Sequence, residues 1–152
     1  MRLPWQKKKE FFTAEEKQLI VEAIHVAERM TSGEVRVFVE NHCSYMDAID
    51  RAAELFFRLE MNKTDDHNAV LVYVAMKDKQ LAVLGDEGIH KKVGDDYWNK
   101  QVRMMIQNFN RDNYAAGLKE VVTDIGEALT KHFPYNNKTD KNELPDEIVF
   151  GK

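Results

Sequence analysis

The sequence is poor in cysteine and has no long hydrophobic run. Its one cysteine, Cys43, cannot form a disulfide within the chain, and a lone thiol is typical of a reducing compartment. No stretch of about 18 apolar residues is present, so no membrane insertion is expected. The basic amino-terminal stretch lacks the apolar segment that a secretory signal requires. We therefore expect a cytoplasmic protein.

Signature motifs of several enzyme classes are also missing. The chain contains no phosphate-binding P-loop, no zinc-protease HExxH, no GxSxG nucleophile elbow and no CxxC pair. The alternating acids of an EF-hand loop are absent too. Any functional site must therefore be assembled from separate loops.

The charge balance gives no reason to expect a polyanionic partner. The net charge is −4 and the pI is about 5.8, so neither nucleic acid nor anionic lipid is generally attracted. A length of 152 residues suits one domain. We expect a loose amino-terminal segment over residues 1–11, a folded domain over 12–134 and a polar tail over 135–152, whose LPDEIVF segment is able to lie along the body as an extended strap.

The centre of the chain is a pair of short apolar runs, Ala69–Met76 and Leu81–Gly85, joined by a polar turn. Their length and their Val and Leu content predict buried strands. A connection this short makes the two strands antiparallel neighbours. The start of the first strand then lies beside the end of the second.

A further strand and four helices surround this hairpin. Glu34–Glu40 is predicted as a strand, and a helix from about Ser44 to Glu60 separates it from the hairpin. Strand, helix and strand in this order predict a right-handed crossover between parallel strands. A first helix begins at the capping box of Thr13 and Glu16, and Gly33 is expected to end it in a left-handed conformation. Two more helices end near Phe109 and Phe133. These helices and strands together predict a three-layer α/β/α sandwich with a mixed sheet.

This topology gathers acidic side chains at one edge of the sheet. This edge holds the residues at the start of the two parallel strands and those that follow the hairpin. They are Glu34, Asp65, Asp66, Asn68, Asp86 and Glu87. Carboxylate and amide oxygens are hard ligands that suit Ca²⁺ or Mg²⁺. The alternative is that these acids cap helices or face solvent.

Two other sets of residues are candidate sites. A zinc site formed by His42, Cys43 and His67 lacks a recognisable ligand spacing. Cys43 would need a partner base to act as a nucleophile, and His42 is the only nearby one. A small buried thiol is the simpler interpretation.

Three stretches resemble the TPM domain family, which is named for a thylakoid acid phosphatase, a photosystem II repair protein and a modulator of acetylcholine receptors. They are Gly33–Val37, Asp66–Val72 and Gly85–Ile89, and the resemblance extends from about Phe12 to Phe133. The chain is similar to the stand-alone bacterial branch of that family. The chain departs from the family pattern at His67-Asn68-Ala69, where members commonly have Asp-Asn-Gly, so Asp65 or Asp66 must supply the carboxylate.

The resemblance implies an α/β/α sandwich with a divalent-cation site, usually calcium, in an acidic groove at the loops of Asp66–Asn68 and Gly85–Gly88. It also implies acid phosphatase activity in some members. The first hypothesis is therefore a calcium-binding module without chemistry of its own, which acts through a protein partner of unknown identity or through the order that the cation imposes. The second is a metal-assisted phosphatase acting on phosphomonoesters, with Asp66 or Glu34 as base and with Lys63, Lys91 or Lys92 near the phosphate. The third is an adaptor domain whose acids only solvate the sheet.

Overall fold

The structure, a computed structural model, describes residues 11–135 and 148–151. Its sheet has four strands in the order β3-β2-β1-β4. The strands are β1 (Glu34–Glu40), β2 (Ala69–Ala75), β3 (Gln80–Gly85) and β4 (Ile148–Phe150). β1 pairs in parallel with β2 and β4, and β2 pairs antiparallel with β3. The predicted crossover and hairpin are thus confirmed.

Five α-helices and one 3₁₀ turn connect these strands within the described ranges. They are α1 (Ala14–Arg29), α2 (Ala48–Arg58), the turn Met61–Lys63, α3 (Glu87–Val93), α4 (Asp95–Phe109) and α5 (Tyr114–His132). The sequence predicted four, since the residues of α3 were expected to form only a short turn. α3 begins earlier because the side chain of Asp86 accepts a hydrogen bond from the amide of Glu87 and caps the helix.

The sheet is covered on both faces, which confirms the predicted α/β/α sandwich. All seven residues of β2 are buried. Val70, Val72 and Val74 pack in the core shared with α1, α4 and α5, whereas Leu71 and Tyr73 pack in the core shared with α2. Because successive side chains of a strand point to opposite faces, an apolar run without alternation is what a doubly covered strand requires.

The start of α1 follows the prediction and its end does not. Thr13 and Glu16 form both bonds of the capping box. Gly33, however, lies outside the left-handed region, and Gly94 is the described glycine with a positive φ. Gly33 is needed for close approach, since a Cβ there would lie 2.7 Å from Leu129 Cδ2.

Two helices of one layer cross at a pair of small residues. A Cβ added to Gly126 of α5 would lie 2.5 Å from the Cβ of Ala27 on α1. The glycine therefore lets the two helices approach closely. The apolar faces of these helices pack there, and Ile20, Ile24, Leu118 and Val122 are fully buried.

The carboxyl-terminal stretch contributes one strand. Ile148–Phe150, part of the expected extended strap, forms β4 beside β1. The rest of that strap and most of the tail fall outside the described residues, as does nearly all of the amino-terminal segment. At the boundary of the latter, Phe11 stacks on Phe150 with 5.7 Å between the ring centroids.

A buried polar network closes the carboxyl end of β1. Arg51 of α2 donates from Nε and Nη2 to the two carboxylate oxygens of Glu40, at 2.9 and 3.1 Å. The hydroxyl of Tyr73 also donates to Glu40. Burial alone would raise the pKa of Glu40, but the hydrogen bonds from Arg51 and Tyr73 outweigh it and hold this pKa below its usual value. The pair is thus ionised and anchors α2 to the sheet.

A membrane-spanning helix must be both long and apolar. No helix among the described residues has the length and the hydrophobicity that this requires.

Candidate functional site

The predicted edge of the sheet exists as a meeting of three backbone segments. In the strand register Glu34 lies opposite Ala69, and Val70 lies opposite Gly85. The amide of Glu34 donates to the carbonyl of Asn68 at 3.4 Å, and the amide of Asp86 donates to the carbonyl of Ala69 at 2.9 Å. The loops of residues 31–34, 64–69 and 85–88 are therefore neighbours, as strand direction required. We call this region the loop edge.

Asn68 is the most deeply buried polar residue of the loop edge. The residue is 1% exposed. Its Nδ2 donates to Ser32 Oγ at 3.1 Å, and its backbone amide donates to Thr64 Oγ1 at 3.3 Å. Its Oδ1 is buried and accepts no hydrogen bond from any described residue. The amide oxygen of Asn68 is thus an acceptor without a donor.

Ser32 links this asparagine to the first aspartate. The Oγ of Ser32 lies 3.5 Å from Asp66 Oδ2, so a chain of polar contacts runs from Asn68 through Ser32 to Asp66. Sequence reasoning missed Ser32 because it was assigned to the end of a helix. Its position two residues before Glu34 was the signal that placed it at the loop edge.

The second aspartate has a structural role that leaves one oxygen turned to the neighbouring loop. Asp86 Oδ1 accepts from the amide of Glu87 at 2.8 Å, and Oδ2 lies 3.3 Å from His67 Nδ1. The side chain of Asp86 is only 16% exposed. His67 has a left-handed backbone with φ of 50°, a conformation that only a small share of non-glycine residues adopt.

Gly88 brings backbone carbonyls into the same place. A Cβ at Gly88 would lie 2.2 Å from the carbonyl oxygen of Asp66 and 2.6 Å from that of His67. The first turn of α3 therefore lies directly against the loop before β2. Carbonyl oxygens are hard ligands of the kind that Ca²⁺ accepts.

The remaining predicted residues differ in exposure. Glu34 is 2% exposed and, by strand alternation, its side chain belongs to the sheet face of Phe38 and Tyr73. Asp65 is exposed. Glu87 is exposed and pairs with Lys91 at 2.8 Å, and this hydrogen bond lowers the pKa of Glu87. Within residues 11–135 and 148–151, no three His, Cys, Asp or Glu residues come close enough together to hold a metal ion.

The residues of the zinc alternative lie at opposite ends of the sheet. His42 and Cys43 follow the end of β1, whereas His67 precedes the start of β2, which runs parallel to β1. His42 Nδ1 instead lies 2.9 Å from Asp78 Oδ1. The thiol of Cys43 donates to the carbonyl of Met46 at 3.2 Å and is buried. Cys43 is therefore a packed thiol, and these residues form no common zinc site.

Comparison with known proteins identifies the family and the fold. The family model described as the TPM domain matches residues 6–128. The solution structure of the BA42 protein from the psychrophilic bacterium Bizionia argentinensis is 42% identical with a TM-score of 0.86, and the match covers 95% of this chain and 99% of that one. No curated protein matches the chain.

Two more distant structures show the same fold alone. The amino-terminal domain of a protein from P. gingivalis is 15% identical with a TM-score of 0.69, and the match covers 82% of each chain. The amino-terminal domain of cg2496 from Corynebacterium glutamicum is 10% identical with a TM-score of 0.59, covering 78% of this chain and 74% of that one.

Proposed function

The chain belongs to the TPM domain family, and on that premise we propose that it binds a divalent cation, Ca²⁺ before Mg²⁺, at the loop edge. The proposed ligands are the carboxylates of Asp66 and Asp86, the Oδ1 of Asn68 and the nearby carbonyl oxygens of Asp66 and His67. Glu34, Asp65 and Glu87 complete the proposed set only if their side chains reorient. The bound ion would order three loops that are distant in sequence.

The observation that carries this proposal is the Oδ1 of Asn68. A buried acceptor that lacks a hydrogen bond costs about 1–3 kcal/mol, so such groups usually have a partner. No described residue supplies that partner. A cation supplies it, because the amide oxygen is a good ligand while the NH₂ group already donates to Ser32.

The ligand types favour calcium over other ions. Ca²⁺ takes about 6–8 oxygens in flexible geometry and accepts carbonyls, whereas Mg²⁺ demands a near-ideal octahedron and keeps several waters. A site with few convergent carboxylates suits the modest affinity of extracellular or weakly binding modules more than that of a tight buffer. The lack of a clustered acid triad is compatible with a site in which neutral oxygens contribute much of the coordination shell.

The test is calorimetric titration with Ca²⁺ of the full chain and of two matched variants. Asp66→Asn removes a charge at the loop edge, and Asp50→Asn removes one from an exposed position on α2. We expect Asp66→Asn to weaken Ca²⁺ binding at least tenfold and Asp50→Asn to leave it unchanged. Equal affinities in the two variants, or no heat in the unaltered protein, would reject the loop edge as the site.

The phosphatase alternative finds less support from the side chains. A phosphoryl group needs cationic partners, and two of the candidate lysines are already paired: Lys91 with Glu87 at 2.8 Å and Lys63 with Glu60 at 3.1 Å. Hydrolysis of a generic phosphomonoester that is lost in both Asp66→Asn and Asp86→Asn would favour the enzyme. Activity that survives both changes would indicate a contaminant.

The proposal includes a location and a partner. The buried, unpaired thiol of Cys43 suits the reducing cytoplasm. A cation-binding module without its own chemistry acts through another protein, whose binding the ion would regulate.

A further inference from the structure

The sheet ends at β3, which pairs with β2 on one side and with no strand of the described residues on the other. The hydrogen bond from the amide of Asp86 to the carbonyl of Ala69 determines which residues of β3 bond to β2 and which face away from it. Every second residue of β3 before Asp86 then bonds to β2 in the same way. Leu81, Val83 and Gly85, which alternate with them, turn their N–H and C=O groups away from the sheet.

These outward groups make no hydrogen bond to the described residues. Val83 is nevertheless only 4% exposed, because it lies at the floor of a groove. Backbone groups that are withdrawn from water are nearly always paired, so the outward groups of Val83 point to a ligand with backbone groups of its own; Leu81 and Gly85 on either side are half-buried. β3 also lacks the proline, bulge or internal charge with which proteins commonly protect an edge strand.

The groove has a volume of about 710 Å³ and runs along β3 between two helices. Ile49 of α2 forms one wall, and Trp98 and Val102 of α4 form the other. Ile49 is 48% exposed although it is a large apolar residue. The floor is a strand and the walls are apolar, which is the form that binds an extended peptide by strand addition.

Trp98 is held in place at one end of the groove. A Cβ at Gly85 would lie 2.2 Å from its Cζ2 atom, so only glycine lets the indole pack against the strand. Its Nε1 donates to His90 Nδ1 at 3.0 Å. The indole thus presents a fixed apolar surface to whatever lies beside β3.

One end of the groove carries an acidic side chain. Asp95 lines the end near Gly85, and its side chain is 89% exposed. A ligand that complements this end has a basic residue near Asp95.

We propose that this groove binds an extended segment of a partner protein as an additional strand beside β3. The segment has apolar residues at alternate positions, which face Trp98 and Val102, an intervening residue that packs on Ile49 of the opposite wall, and a basic residue at the end near Asp95. A second copy of this chain fits less well, because its own β3 is likewise set back between its α2 and α4. This site is separate from the loop edge and does not depend on the cation.

The probe is a phage-displayed library of random twelve-residue peptides, selected on the immobilised full chain. We expect enriched peptides with alternating apolar residues and one terminal basic residue. A synthetic copy of the best peptide is then methylated at single backbone nitrogens. Methylation at every second position should weaken binding at least tenfold and methylation at the intervening positions should not, because only alternate N–H groups face β3.

Two matched variants locate the contact. Ile49→Lys places a charge on the groove wall, and Val26→Lys does so on α1 at a nearly equal exposure of 50% against 48%. We expect at least a tenfold loss of peptide affinity in the first and none in the second. Failure to enrich any peptide, equal affinities in the two variants, or methylation effects without alternation would overturn the proposal. Nuclear Overhauser contacts between β3 strands of two copies would overturn it in favour of a dimer.

Discussion

Replacing Arg51, the positively charged partner in the buried Glu40–Arg51 ion pair, is the sharpest test of what this pair contributes to the stability of the fold. In Arg51→Met the carboxylate of Glu40 keeps the hydroxyl of Tyr73 but loses two hydrogen bonds and its countercharge. Breaking a buried pair by removing one partner costs about 3–5 kcal/mol. The side chains are 19% and 7% exposed, so partial solvation of Arg51 favours the lower end, about 3 kcal/mol.

Urea denaturation of the variant should therefore show a lower midpoint with an unchanged slope. For a chain of this size the same loss lowers the melting temperature by roughly 6–12 °C. Arg58→Met is the matched control, since Arg58 pairs with Glu54 on the surface at 2.6 Å with exposures of 60% and 38%. Exposed pairs contribute about 0–1 kcal/mol. Equal destabilisation by the two substitutions would refute the assigned role of the buried pair.

The contribution of the same pair to the free energy of unfolding changes with pH in a defined direction. The pKa of Glu40 lies below its ordinary value of 4.5 in the folded protein, so its contribution to stability is complete above that value and is lost as the pH falls through the folded pKa. Without Arg51, burial raises the pKa of this carboxyl. The difference in unfolding free energy between the unaltered protein and Arg51→Met should thus narrow below about pH 4.5. A difference that stays constant under acid would contradict the ionised pair.

Three further predictions concern close approaches and a buried phenol. Gly88→Ala should destabilise the protein by about 1–3 kcal/mol and weaken Ca²⁺ binding, because the new methyl meets the carbonyl of Asp66; urea denaturation and calorimetry measure both effects. Gly126→Ala should cost a similar 1–3 kcal/mol or so in urea denaturation, and Ala27→Gly in the same chain should recover part of it by removing the opposing Cβ. Burial, followed by the hydrogen bond to Glu40, raises the pKa of Tyr73, so unfolding free energy measured by urea at increasing pH should fall above about pH 10, and less so in Tyr73→Phe.

The sheet was predictable because its signals are local and topological. A continuous apolar run such as Ala69–Ala75 can only be a strand that is covered on both faces, and a short turn leaves one way to pair it with β3. The crossover from β1 then follows from handedness. α3 was not predicted as a full helix because its start depends on the cap by Asp86, and the sequence left open whether the acids of this edge bind a metal or cap helices.

Glycine roles were harder to derive from sequence. Gly33 follows a helix and so suggested a left-handed ending. In the structure its lack of a side chain instead leaves room for Leu129, a residue far along the chain. Gly88 and Gly126 likewise serve close contacts between distant segments. Such requirements appear only when the segments are packed together.

The loop edge was predictable at the level of backbone and not of side chains. Strand direction brings Glu34, Asn68 and Asp86 to one place. It cannot show that Asn68 is buried or that Ser32 bridges it to Asp66, because both depend on how the loops fold. The sequence placed Asn68 among five acids without distinguishing it from them, and its buried Oδ1 makes it the strongest candidate ligand.

The most direct test of the calcium proposal is the side-chain carbonyl of Asn68. Its ¹³Cγ resonance can be followed by nuclear magnetic resonance while Ca²⁺ is added to the full chain. Coordination by Oδ1 predicts a saturable shift of this resonance with the same dissociation constant as the calorimetric titration. A resonance that stays in place while calcium binds elsewhere, or no calcium binding at all, would contradict the account.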